Sequence, residues 1–285
     1  MIKIATIAGS DASGGAGLEA DLKTFEEYGI YGMAAVTLIA AMDSQREWAH
    51  SVFPVAEDVL RAQLETVFRG VGADAVKSGM LGTFYAVELA AEYLSAWHIK
   101  NYVLDPVMVC KGAGEALNPE LNAVIAEKLL PLAELVTPNL FEAAQLAGMR
   151  EITSIEQIKE AARIIAGKGA RYVFIKGGSK LHEIETAAGI ITNAGQAVDV
   201  LYDGKNFHLI ENELIDTGWT HGAGCTVSAA AAAGMARGLS VYEAVLLAKK
   251  FITESLRGSF ALNKWIGPGN PSGWRARSLW GFAQK

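Results

Sequence analysis

Short apolar runs alternate along this chain with segments whose apolar residues recur every three or four positions. Residues 2–8, "IKIATIA", read as a buried strand, and Leu18, Leu22 and Phe25 mark one face of a helix over 18–28. A strand at 33–40 follows, then helices at 57–70 and 84–97 around the short strand "DAVKSG". The rhythm continues as "NYVLDPV" with "LNAVIAEKLL", "ELVTPN" with "LFEAAQLAG", and "SIEQIKEAARIIAGKG" with "RYVFIKGG". Such a repeat predicts an α/β fold, a mostly parallel sheet covered by helices on both faces. From 186 to 215 the texture changes to short strands, with "YDGKN" as the hairpin signal, before two closing helices at 223–237 and 240–257. One domain over 1–265 is expected, followed by an irregular Gly/Pro-rich tail at 266–285.

Composition narrows the function. The 285 residues are 51% hydrophobic and 20% charged, with a formal net charge of −6 and no basic block, which disfavours nucleic acid and anionic membrane as partners. Runs such as "MAAVTLIAAM" are too short to span a bilayer, and the first residues read directly into a strand without a signal-peptide plan. The two cysteines, Cys110 and Cys225, suit a reducing cytoplasm with both thiols free.

In an open parallel sheet, ligands bind beyond the carboxyl ends of the strands. The chemically suggestive residues concentrate in the loops there. "GGAGLEA" fits a dinucleotide fingerprint, with Asp43 as a ribose acid, but "GSDAS" separates its glycines from the strand. The commoner reading is a loop whose backbone approaches a ligand or a neighbouring loop. No Walker-type loop is present, and no ligand spacing suggests zinc. In "THGAGCT", Gly222 and Gly224 permit a tight turn that aims N–H groups at one point, while the following helix adds positive potential. A glycine-capped helix with a small buried cysteine is the plain alternative. The helix mouth is expected to lower the Cys225 thiol pKa, and His221 either shares a proton or packs. Asn139 and Glu142 form an N-x-x-E capping box, or Glu142 holds magnesium through water. Lys176 either meets a nucleotide phosphate or caps its strand.

"IAGSDASGGAGLEADLKTF", "KSGML", "LDPVMV", "TPNLFEA", "KGG" and "THGAGCT" occur in that order. Together they resemble the vitamin-kinase branch of the ribokinase-like superfamily. Within it the chain is similar to hydroxymethylpyrimidine (phosphate) kinases, and closer still to Gram-positive pyridoxal kinases of that subtype. The resemblance implies an αβα sandwich, usually a homodimer, that uses Mg-ATP to phosphorylate a hydroxymethyl group on an aromatic heterocycle. By motif, Gly222, Ala223, Gly224 and Cys225 form the anion hole; Asn139 and Glu142 face nucleotide and magnesium. Lys176, Gly177, Gly178, Ser179 and Lys180 touch ATP, and Gly9, Met80 and Val107 line the ring pocket. Many superfamily members carry an aspartate, the base, where Cys225 stands.

The loop "DPVMVCKG" and the "AAMD" run resemble the pyridoxal group more than the pyrimidine group. Free pyridoxal closes into an internal hemiacetal that hides its 5′-hydroxyl. Capture of the aldehyde by the Cys110 thiolate as a hemithioacetal would release that hydroxyl. The sequence thus favours pyridoxal, with the pyrimidine kinase as alternative and a non-catalytic B6 carrier or sensor as a rival of another class.

Overall fold

The computed structural model describes residues 1–108, 119–181 and 195–275. Their core is one nine-stranded sheet. In chain order the elements begin with β1 (Lys3–Asp11), α1 (Gly17–Glu27), β2 (Tyr31–Asp43) and β3 (Ala49–Pro54). Next come α2 (Glu57–Leu64), continued by a π-helical turn at Glu65–Val71, then β4 (Ala75–Ser78), α3 (Phe84–Ala96) and β5 (Tyr102–Leu104). The middle holds α4 (Pro119–Lys128), β6 (Leu135–Val136), α5 (Leu140–Ala147), α6 (Ile155–Gly167) and β7 (Tyr172–Gly177). The chain then forms β8 (Gln196–Tyr202), β9 (Phe207–Glu213), α7 (Ala223–Ala236) and α8 (Val241–Arg257).

The strand order is β3-β2-β1-β4-β5-β6-β7-β8-β9. The six strands from β2 to β7 are parallel, while β3, β8 and β9 pair antiparallel at the two edges. Alternate residues of each strand feed different helical layers. Ala5, Val76, Leu104, Val136 and Val173 pack on the side of α2–α6. Ile4, Ala75, Val103, Leu135 and Phe174 pack beneath α1, α7 and α8. Because both faces are covered, the strands read as unbroken apolar runs. The alanines of α7, Ala229–Ala233, are wholly buried, and a side chain at Gly234 would come within 2.9 Å of Ala244 in α8. Small residues all round let this helix lie within the molecule.

β3 departs from the sequence expectation, which assigned no strand to Ala49–Pro54. Both of its faces are largely solvated, so it lacks the apolar period that marks a strand. It is placed by pairing with β2, Ile39 opposite Phe53.

Candidate active site

The sheet changes direction at β1, which lies between β2 and β4. That switch leaves a crevice beyond the carboxyl ends of β1 and β4. The first wall is the turn after β1. The buried Asp11 carboxylate accepts hydrogen bonds from the Ser13 and Ala16 N–H groups, both at 2.8 Å, and lies 2.7 Å from His221 Nε2. Burial pushes the Asp11 carboxyl up, but the bonds from His221 and Ser13 outweigh it and bring it to about 2. His221 is also held by the C-terminal segment, its N–H donating to Gly267 O at 3.1 Å. His221 thus ties two loops together.

The glycines of "GGAG" serve this packing. A side chain on Gly15 would strike His221 at 2.5 Å, and one on Gly17 would strike Gly9 O at 2.3 Å. Asp43 instead accepts from Gln45 N–H in its own turn. The loop-to-loop reading of the motif holds, and the dinucleotide reading is set aside.

Gly222 caps α7 in the left-handed region, φ 76°, where a Cβ would fall 1.9 Å from Gly15 O. Only Gly222 makes the turn. Gly224 has ordinary helical backbone, and its missing side chain serves a different purpose: a Cβ there would sit 3.3 Å from Lys176 Nζ. The expectation that both glycines bend the chain is corrected accordingly. As first-turn residues, Gly224 and Cys225 present N–H groups that no preceding helical carbonyl can take.

The Cys225 thiol is corrected too. It is pushed up to about 11, not lowered. Burial is the largest cause; Lys77 and the Gly17 N–H pull the other way, while Asp105 and Asp21 add to the rise. A helix mouth cannot offset dense surroundings and two nearby carboxylates.

The opposite wall carries a charged cluster. Asp105, buried at the end of β5, accepts from Lys176 Nζ at 2.9 Å, Thr137 Oγ1 at 3.2 Å and Ser228 Oγ at 3.2 Å. Burial alone would raise Asp105, yet Lys176 and Lys77 hold it below the usual carboxylate range. Lys176, desolvated but flanked by Asp105 and Glu142, stays above its ordinary value and therefore cationic. The capping box is present in full: Asn139 N–H donates to Glu142 Oε2 at 2.8 Å and Glu142 N–H to Asn139 Oδ1 at 2.9 Å. Glu142 is nevertheless buried, and its carboxyl is raised to about 7, by burial first, against Lys176 and with Asp105.

The remaining predicted residues fall into two groups. Met80 and Val107 lie past the ends of β4 and β5, and Gly9 lies near the carboxyl end of β1; the three strands are adjacent. Thr37 Oγ1 anchors Met80 through its carbonyl at 2.7 Å. Gly177 ends β7 where a Cβ would meet Val198 O at 2.5 Å, and Gly178, φ 54°, donates its N–H to Asp199 at 3.0 Å. Ser179 and Lys180 follow with exposed side chains. Cys110 lies outside the described residues.

Sequence reasoning missed Asp11, Asp105 and the buried pair Asp21–Lys77. The signal available was a charged residue inside or just beyond an apolar strand, as in "AVKSG" and "VLDPV".

The phosphomethylpyrimidine kinase family profile matches residues 11–270. Pyridoxine kinase of Bacillus subtilis is 52% identical over 269 residues, 94% of this chain and 95% of that protein. The ADP complex of Bacillus subtilis pyridoxal kinase superposes with a TM-score of 0.89 at 51% identity, covering 96% of this chain and 99% of that one. Pyridoxal kinase from Staphylococcus aureus, in complex with AMP-PCP and pyridoxal, gives 0.87 at 42% identity over 96% and 95%. With the glycine-capped helix, the Asp105–Lys176 pair and the capping glutamate all in these matched regions, the chain belongs to the phosphomethylpyrimidine kinase family.

Proposed function

We propose that this protein transfers the γ-phosphoryl group of ATP to the 5′-hydroxyl of pyridoxal, and of pyridoxine and pyridoxamine, in vitamin B6 salvage. The observation that carries this reading is the Lys176 ammonium set beside the first turn of α7, with room between them created by Gly224. A cation and outward N–H groups facing one point stabilise the charge that grows on a phosphoryl group in flight. The strong likeness to a pyridoxine kinase and to pyridoxal kinases supports the substrate class.

In this reading Gly222, Ala223 and Gly224 supply the backbone hole. Cys225, as the thiolate, takes the proton from the attacking hydroxyl as the oxygen–phosphorus bond forms and ADP departs. Lys176 steadies the γ-phosphate; Asn139, Gly177, Gly178, Ser179 and Lys180 border the nucleotide. Gly9, Met80, Val107 and His221 frame the ring, and Cys110 captures the aldehyde. Glu142, a buried carboxyl beside the Asp105 carboxylate, fits a magnesium ion held partly through water. When bound with ATP, that ion neutralises phosphate charge. The reading extends to a cytoplasmic homodimer, in line with the resemblance; no described helix is long and apolar enough to cross a membrane.

The family's own description keeps a pyrimidine kinase as a second reading. A panel of pyridoxal, pyridoxine, pyridoxamine and hydroxymethylpyrimidine with ATP and magnesium decides. Phosphorylation of the B6 vitamers with the higher kcat/KM supports the reading. Preference for the pyrimidine replaces it, and binding without turnover leaves a carrier or sensor.

A further inference from the structure

Beneath the helix mouth lies an ion pair that the roles above do not use. Lys77 and Asp21 are both fully buried. Lys77 Nζ sits 2.9 Å from each Asp21 oxygen, and Thr6 Oγ1 donates to Asp21 Oδ2 at 2.6 Å. Taking two charges out of water is costly, and an apolar pair of similar volume often does as well. Stability alone is a weak reason for these residues.

Their placement suggests another. On β4, Ala75 and Lys77 share the face covered by α7, and Ala75 packs with Ala229 and Ala233. Lys77 lies two residues nearer the carboxyl end, as Cys225 lies one turn nearer the helix mouth than Ala229. The ammonium also points that way: a Cβ on Gly79, past the end of β4, would be 2.9 Å from Lys77 Nζ. From the other side, the Gly17 N–H donates to the Cys225 thiol, and Asp21 is one turn along the same face of α1. Sulfur, ammonium and carboxylate therefore lie in sequence from crevice to core.

We propose that Lys77, held by Asp21, is a positioning residue for phosphoryl transfer: its ammonium stands behind the Cys225 sulfur and governs how readily that thiol releases its proton. This rests on the reading that Cys225 faces the reacting hydroxyl. The charged groups facing the thiol are Lys77 from β4, Asp21 from α1, Asp105 beyond β5 and Lys176 from β7. Lys77 favours the thiolate and Asp21 opposes it, so the pair sets a balance. Neutralising one member tips it in a known direction.

The test is alkylation of Cys225 by iodoacetamide in the full chain, followed by peptide mass spectrometry from neutral pH to about pH 11. Mass spectrometry separates Cys225 from Cys110. Asp21→Asn leaves the cation without its partner and should speed alkylation at neutral pH by about tenfold, equivalent to one pKa unit. Lys77→Met should slow it by about as much. The double variant, with both charges gone, should lie on the slow side of wild type, because Lys77 acts on the thiol more strongly than Asp21 does.

A merely structural pair would move both single variants the same way, and that result, or no change in either, overturns the proposal. If Lys77→Met does not fold, the pH midpoint of alkylation in Asp21→Asn decides: a midpoint about one unit lower supports the proposal, and an unshifted midpoint, whatever the rate, overturns it. The kcat pH profile, measured in parallel, reports separately on Cys225 as base. Shifted alkylation with an unshifted kcat profile sinks that role while the link between Lys77 and the thiol stands.

Discussion

Cys225 and Glu142 are two acids whose protonation the fold sets against the roles proposed for them. A thiol pushed to about 11 keeps its proton at neutral pH even with Lys77 beside it, so the proposed base role requires a further lowering once the site is filled. Cys225→Ala should lower kcat by roughly a hundredfold or more, the usual reach of a general base, and Cys225→Asp should recover part of it. Normal turnover in the alanine variant would assign the residue to packing. Glu142 gives a prediction for the metal-free protein. Its carboxyl is raised from 4.5 to about 7, so between those values the folded state binds more protons than the unfolded chain. The stability this contributes is fully present below about 4.5 and is lost as pH rises through about 7. Glu142→Gln keeps the capping geometry without the titration, so its Tm should gain on wild type as pH rises through that window. Parallel Tm curves would contradict the shift. Cys110→Ala, in turn, should reduce kcat/KM for pyridoxal far more than for pyridoxine, which has no aldehyde. Equal losses would return Cys110 to an ordinary loop residue.

At the scale of elements, the two glycines at the mouth of α7, Gly222 and Gly224, separate folding from chemistry. Gly222→Ala places a Cβ against Gly15 O in left-handed backbone, so it should destabilise by about 1–3 kcal/mol or more and loosen both loops. Gly224→Ala meets only the flexible end of Lys176 and should leave Tm nearly unchanged while lowering kcat. Chemical denaturation and steady-state kinetics on the two variants check this, and the reverse pattern would undo the division. The elements themselves were largely readable, because strands covered on both faces are apolar throughout and helices such as α6 and α8 repeat at their own period. β3 was not, since a solvated edge strand carries no such pattern. The site divides in the same way. Gly222, Asn139 and Glu142 announce themselves through local backbone rules. Asp21 and Lys77 lie 56 residues apart, and the sequence alone does not pair them. The rise of the Cys225 thiol likewise comes from tertiary structure, from burial first and then from carboxylates on α1 and just beyond β5.

The whole molecule brings its site together from distant parts of the chain. Asp11, Asp105, Lys176 and His221 come from four segments, and Gly267 fastens the last of them. A ligand spanning these segments binds only the folded protein, so it adds RT ln(1 + [L]/Kd) to stability, about 2.7 kcal/mol at a hundredfold excess over Kd. ADP should therefore raise the Tm of wild type. Lys176→Met removes the cation proposed to meet phosphate, and it also strands the Asp105 carboxylate in a buried setting. The variant should start from a lower Tm, by a loss on the order of 3–5 kcal/mol, unless Asp105 takes up a proton. Each protein is consequently compared with its own ligand-free state. Across an ADP titration, the Lys176→Met curve should be displaced to higher nucleotide concentration. If Lys176 only neutralises Asp105, the starting Tm falls but the two titrations coincide. Coincident titrations would move the phosphate contact away from β7 and leave the mouth of α7 to hold the nucleotide alone.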